Sequence, residues 1–177
     1  DKLIQRQMWT EGAGGAYTAT KAEYHDRLDT LFGQPGDTNA LDGIFNSFTQ
    51  SLQTLATSPD NTTARTEVLN SARVLVQQLN GMSSDIQSMR SQAELSISSD
   101  VDEANDALQN IARVSSQIDR SSGSGAVSPA LLDERDSYIS KLAALMDIKM
   151  MPTDGNKISI FTTSGALLFD GQPATLG

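Results

Sequence analysis

The apolar residues between positions 61 and 122, a stretch without proline, recur at alternating steps of four and three. A period of 3.5 residues is typical of a helix that packs along other helices in a left-handed supercoil. Between residues 89 and 101 every step is four, and such a stutter locally relaxes the supercoil. Weak helix formers between Ser96 and Asp100 leave open whether the helix is continuous. The predicted seam includes Val68, Leu75, Leu79, Met82, Ile86, Leu108, Ile111 and Ile118.

A second, shorter seam precedes the long helix and has the same alternation of steps. Because few residues separate the two predicted helices, we expect them to fold back and pack antiparallel. Leu75 and Leu79 should then be buried against the shorter helix, so that Leu→Ala at either would cost about 2–5 kcal/mol. The shorter seam consists of Leu41, Phe45, Phe48, Leu52 and Leu55.

Local signals set the limits of these two helices. Thr38 or Asn39 can cap the start of the shorter helix, because their side chains accept bonds from free backbone N–H groups. The helix should end at Ser58, since the following Pro59 forces the preceding residue out of the α region. Asp60 or Asn61 can then cap the long helix.

The first 32 residues predict a weaker helix, because glycines at positions 12, 14 and 15 interrupt its apolar face. The segment from Gly33 to Asp37 reads as a turn. Near position 120 a run of serine and glycine, Ser121 to Gly125, predicts a flexible loop. Ser128 and Pro129 are typical of the start of another helix. That last helix places on one side Leu132, Ile139, Leu142 and Met146.

After Asp147 the period of the apolar residues changes from that of a helix to that of a strand. Ile158 and Ile160 alternate with polar residues, and Gly155 lies in a turn that permits a positive φ. We therefore expect a β-hairpin followed by a short strand at 166–169. The predicted fold is mainly α: an elongated antiparallel bundle of long, coiled-coil-like helices in residues 1–146, and a small β-hairpin element in 147–177.

The charge and composition exclude several classes of protein. Thirteen basic against 22 acidic residues give a net charge of −9, which disfavours binding to nucleic acid or to an anionic membrane. The absence of cysteine rules out disulfides, thiol catalysis and cysteine-ligated metals. No apolar run is long enough to span a membrane. Both ends of the sequence look cut, so we expect a fragment of a longer protein.

Residues that could carry chemistry are few, and each has a simpler structural explanation. His25 is the sole histidine and has no catalytic partner in the sequence. The acidic residues between Asp100 and Asp106 lack the glycine and distant ligand of a calcium loop. Asp133 and Asp136 lie on one helical turn beside Arg135, and we interpret the three as a structural clamp to a facing helix or loop. We therefore expect no catalytic site, cofactor or metal.

Four segments in register resemble the bacterial flagellar hook-associated protein 1 family, whose members join the hook to the filament. The first runs from Ser58 to Asn80 and the second, with Asn105, covers the later part of the long helix. The third is the run Leu132-Asp133-Glu134-Arg135-Asp136, and the fourth is the glycine-punctuated β segment from Asp154 to Gly171. The motif residues that the resemblance marks as structural are Pro59, Arg65, Asn80, Asn105, Asp133, Arg135 and Asp136.

This resemblance implies an extracellular structural subunit of the flagellum, exported without a cleaved signal peptide. It implies as partners the hook subunits and a filament-side junction protein. Terminal helices outside this sequence would mediate self-association, and the C-terminus of the full protein would bind an export chaperone. Flagellin and the second hook–filament junction protein remain alternatives of the same class. A cytosolic helical binding module or a helical enzyme remains the alternative of a different class.

Overall fold

A computed structural model describes residues 2–122 and 128–177, and their side chains except those of residues 2–14, 16 and 154. Four helices precede a small sheet along the chain. The helices are α1 (Lys2–Phe32), α2 (Leu41–Thr57), α3 (Thr62–Ser122) and α4 (Pro129–Leu145). The strands are β1 (Ile148–Pro152), β2 (Ile158–Thr162) and β3 (Leu167–Asp170).

The described helices are less interrupted than the sequence suggested. Helix α1 continues through all three of its early glycines, and α3 passes the weak helix formers between Ser96 and Asp100 without a break. A helix of this length gains one backbone hydrogen bond for each residue added, so isolated poor helix formers are tolerated in its interior. Ser121 and Ser122, which were expected in a flexible loop, instead form the end of α3, and the rest of the expected loop, 123–125, lies outside the described residues.

The chain divides into two compact units, which we call the helical unit and the sheet unit. The helical unit comprises Lys21–Glu94, and the sheet unit comprises the residues up to Thr20 together with Leu95–Gly177. This division differs from the expected boundary after residue 146. The reason is that the strands pack on α3 and α4 and share one apolar core with them.

In the helical unit, α2 runs antiparallel to α3. The hydroxyl groups of Ser51 and Ser71 lie 2.7 Å apart across the two helices. Arg27 of α1 donates to the side chain of Gln92 in α3 at 2.9 Å and pairs with Glu23 at 2.6 Å. Polar contacts between small or flexible side chains therefore accompany the apolar contacts of this unit.

Three residues of the predicted seam are exposed, and their assignment to the core was wrong. The exposed fraction is 55% for Phe45, 42% for Leu52 and 48% for Leu79. Leu75 is only half-buried, so the expected burial of Leu75 and Leu79 against α2 is not observed. The physical reason is that the helical unit is thin: its few helices cover one flank of each apolar stripe and leave the other flank open. Other seam members of this unit are half-buried, namely Leu41, Phe48, Leu55, Val68 and Ile86, and Met82 is buried.

The start of α2 also differs from expectation. Its N-cap is Ala40, without a side-chain cap, and not Thr38 or Asn39. Ala40 is 3% exposed and packs closely on Gly33. A Cβ added to Gly33 would lie only 3.0 Å from the Cβ of Ala40. Close packing of the turn on the helix start therefore takes the place of a capping hydrogen bond.

The sheet unit has a continuous apolar core. The three strands form an antiparallel sheet in the order β1-β2-β3, with Ile148 opposite Thr162 and Ile160 opposite Phe169. Leu132, on the predicted apolar side of α4, is half-buried. The fully buried side chains of this core and its extension along α3 include Leu108, Ile111, Val114, Ile118, Ile139, Leu142, Ile160 and Phe169.

Candidate functional site

The most enclosed residue of the marked motifs is Arg135 in α4, which is only 7% exposed. Its Nη1 donates to the backbone oxygen of Asn156, in the β1–β2 turn, at 2.7 Å. Its Nε is buried without a hydrogen-bond partner. Burial lowers the pKa of Arg135, while the negative charges of Asp136 and Asp119 oppose that shift. Arg135 therefore fastens α4 to the hairpin turn.

The β1–β2 turn, which presents the backbone oxygen of Asn156 to Arg135, has an uncommon backbone conformation. Gly155 and Asn156 have φ values of +70° and +69°. Glycine has no Cβ to oppose this conformation, and asparagine is among the few other residues that tolerate it. The turn chemistry that the sequence predicted is therefore what positions the acceptor.

The two carboxylates beside Arg135 occupy different environments. Asp133 is exposed, whereas Asp136 is half-buried. On the same helix, Glu134 forms a surface salt bridge with Arg113 of α3 at 2.9 Å and thereby raises the pKa of Arg113. The geometry therefore favours packing of α4 against its neighbours over acid–base chemistry at Asp133 and Asp136.

Asn105 attaches the end of the described chain to α3. Its Nδ2 donates to the backbone oxygen of Leu176 at 3.1 Å, and its Oδ1 accepts from the backbone N–H of the same residue at 2.8 Å. An amide side chain is suited to this role, because it offers a donor and an acceptor side by side.

Arg65 fixes the turn between α2 and α3. Its Nε and Nη2 donate to the backbone oxygen of Pro59 at 3.0 and 2.7 Å. Asn61 caps α3, since its Oδ1 accepts from the backbone N–H groups of Thr63 and Ala64. Asn80, like Arg65 and Asn61, is exposed.

A cavity of about 190 Å³ with both polar and apolar walls lies in the sheet unit and was not predicted. The hydroxyl of Ser115 lines it and is buried without a partner. The signal in the sequence was a serine at a position where the α3 seam otherwise requires an apolar residue. The cavity is also lined by Asp119, Thr153, Asn156, Lys157 and Asp170.

An apolar groove of about 660 Å³ lies in the helical unit and was also not predicted. Its polar lining is limited to Asp42 and the turn backbone. Half of its lining residues belong to the predicted seams, but the periodic pattern does not include Phe32, at the end of α1, or Pro35, in the turn before α2. The apolar groove consists of Phe32, Gly33, Pro35, Leu41, Asp42, Phe45, Leu75 and Leu79.

A metal-binding cluster and a membrane-spanning helix are both absent from the described part of the chain. No three acidic or histidine side chains come together there in a way that could hold a metal ion. Within the same residues, no helix combines the length and the apolarity needed to cross a membrane.

Comparison with known proteins gives a consistent result. The model of the family described as "Flagellar hook-associated protein FlgK helical domain" matches residues 25–176. The chain is 30% identical over 176 residues to flagellar hook-associated protein 1 of Salmonella typhimurium, covering 98% of this chain and 32% of that protein. It is 25% identical over 180 residues to the protein of the same name from Bacillus subtilis, covering 100% of this chain and 35% of the relative.

A solved structure has the same fold. It is that of the flagellar hook junction protein FlgK from Burkholderia pseudomallei, with a TM-score of 0.84 and 24% sequence identity. The match covers 94% of this chain and 29% of the other. The chain therefore spans about a third of the length of the proteins that it resembles.

Proposed function

Since the chain belongs to the family of the FlgK helical domain of flagellar hook-associated proteins, we propose that it is part of a structural subunit that joins the flagellar hook to the filament. The observation that carries this proposal is the match over nearly the whole chain to relatives named flagellar hook-associated protein 1. The function is then mechanical and not catalytic, and its place is the extracellular flagellum.

The contacts of the motif residues support a mechanical role. Arg135, Asn105 and Arg65 each bind backbone atoms of a turn or of the final segment. Bonds of this kind fix one element against another. A domain that transmits force between two polymers benefits from such internal fastening.

The proposed partners are hook subunits on one side and a filament-side junction protein on the other. We further propose that terminal helices of the full protein mediate self-association and that its C-terminus binds an export chaperone. The protein would be exported without a cleaved signal peptide. The exported state fits the absence of cysteine and the net charge of −9.

Deletion of the gene in the source bacterium tests the function. We expect hooks without filaments in electron micrographs and recovery of filaments when the full-length gene is restored. Purified flagella should contain the protein in few copies, whereas flagellin would be in great excess. Filaments of normal number in the deletion strain, or absence of the protein from purified flagella, would contradict the proposal.

A further inference from the structure

The apolar groove has a rigid wall, formed by the turn from Gly33 to Ala40. Gly33 has a φ of +76° and packs on Ala40, where an added Cβ would come within 3.0 Å of the alanine Cβ. An added Cβ on Gly43 would lie 2.3 Å from the backbone oxygen of Asp37. The carboxylate of Asp42 also accepts a bond from the backbone N–H of Gly36 at 3.2 Å. The turn is therefore closely packed on the start of α2.

The apolar side chains of the groove remain accessible despite this rigid construction. The exposed fraction is 47% for Phe32, 55% for Phe45 and 48% for Leu79. Clustered apolar side chains around a preformed concave surface are typical of interaction sites, whereas single exposed apolar residues are ordinary. A surface of this kind gains free energy when an apolar partner covers it.

The charge around the groove indicates which partner fits. The segment from Leu28 to Phe45, which supplies most of the groove lining, contains three aspartates and no lysine, arginine or glutamate. One of them, Asp42, lines the groove, and Asp37 lies in the turn that forms its wall. A partner with lysine or arginine beside its apolar residues would be attracted to this rim. A second copy of this chain, with its net charge of −9, would be repelled on average.

We propose that the apolar groove is the docking site for an amphipathic helix with basic residues at its edge, carried by a different subunit of the hook–filament junction. This inference rests on the proposed function, which supplies the assembly in which such a helix would be found. Phe45 and Leu79 would contact the apolar face of the helix, and Asp42 would face its basic edge.

Photo-crosslinking in assembled flagella tests the contact directly. The full-length protein would carry p-benzoylphenylalanine in place of Phe45, and Leu52 would be the matched control on the same helix. Leu52 is 42% exposed and does not line the groove. We expect a crosslink from position 45, and not from position 52, to a segment of a hook or filament-side subunit that is rich in apolar and basic residues. A crosslink to the same chain, to a second copy of it or to no protein would overturn the proposal, as would equal crosslinking from both positions.

Two substitutions separate docking from folding. Phe45→Asp places a charge in the groove, and we expect the number of filaments per cell to fall about tenfold or more, because the docked charge would be desolvated. Leu52→Asp should behave like the parent. Asp42→Asn keeps an acceptor for Gly36 and removes only the charge, so it should reduce the crosslink yield from position 45 severalfold.

The outcomes of this experiment are separable from those that test the proposed function. If the restored parent gene rescues filaments and Phe45→Asp does so equally well, the groove has no docking role while the junction function stands. If Phe45→Asp unfolds, as measured by circular dichroism of the purified protein, the Asp42→Asn crosslink yield decides alone. An unchanged yield in that variant overturns the proposal.

Discussion

At the scale of single residues, two polar side chains of the sheet unit hold backbone atoms that secondary structure leaves unpaired. Arg135 reaches the β1–β2 turn, and Asn105 reaches the backbone of Leu176. A hydrogen bond from a side chain to the backbone contributes about 1 kcal/mol, and more when the donor is charged, so each side chain matters through the group that it binds. Substitutions that keep volume but remove the hydrogen bond can measure this.

For Arg135, the informative substitution is Arg135→Met, which keeps an unbranched side chain and removes the donor. We expect the free energy of unfolding to fall by about 1–3 kcal/mol, because the charged hydrogen bond to the oxygen of Asn156 is lost, although relief of the buried charge offsets part of the loss. The measurement is denaturant unfolding of the purified protein.

The matched controls for Arg135 are its exposed neighbours. Arg113→Met breaks a surface salt bridge, and Asp133→Asn changes an exposed carboxylate, so both variants should unfold like the parent. If Arg135→Met also unfolds like the parent, the bond to the hairpin turn contributes nothing measurable, and Arg135 does not act as a clamp.

For Asn105, the substitution Asn105→Asp replaces the donating amide group with a second oxygen. The backbone oxygen of Leu176 then loses its donor and faces a negative charge, so unfolding should become easier by about 1–3 kcal/mol. Asn110→Asp, on the same helix, is the control, because Asn110 bonds within its own helix: it donates to the backbone oxygen of Asp106 and accepts from Arg113. Equal effects of the two substitutions would argue against the special role of Asn105.

At the scale of elements, two glycines inside helices differ in whether neighbouring structure requires them. Gly43 lies in α2 and Gly81 in α3. A Cβ on Gly43 would meet the backbone of Asp37 and Thr38, whereas one on Gly81 would meet nothing within 4 Å. The first glycine is therefore required for packing and the second is not.

We expect Gly81→Ala to stabilise the protein by about 0.5–1 kcal/mol, because alanine is the better helix former. Gly43→Ala should instead destabilise it, since the turn that precedes α2 would have to move. Thermal unfolding of the two variants beside the parent gives the sign of each effect. Stabilisation by both substitutions would show that the turn is not packed on α2 as described.

At the scale of the whole molecule, the two units differ in how much they bury. Among residues 21–94, all of which the structure describes, only Ala40, Ala64 and Met82 are buried. The sheet unit has the large apolar core of α3, α4 and the strands. Because local stability follows the burial of apolar side chains, the units should open with different free energies.

Hydrogen exchange of the native protein measures this difference within one helix. Backbone amides of α3 between Ala104 and Ile118 should exchange more than about tenfold more slowly than those between Val68 and Ile86. Leu108→Ala removes a fully buried side chain and should cost about 2–5 kcal/mol, whereas Leu79→Ala should cost much less because Leu79 is 48% exposed. Uniform protection along α3 would contradict the division into two units.

Much of the local structure followed from the sequence, because it depends on contacts between near neighbours. The seam spacing predicted the long helix, the Asn61 cap has the expected hydrogen bonds, and the turn at Gly155 has the positive φ that the sequence indicated. The resemblance marked Arg135 and Asn105, but it gave neither the oxygen of Asn156 nor the backbone of Leu176 as their partners. Those partners lie 21 and 71 residues away along the chain.

Only the tertiary structure decided which side of each seam is covered. Periodicity shows that Leu79 and Leu108 lie on apolar faces of one helix, yet the former is 48% exposed and the latter fully buried. The difference depends on whether another layer of side chains reaches that face, as the sheet and α4 do at Leu108. The period of a sequence records which residues share a face, and only the packing of distant segments determines whether that face is buried or left open as a groove.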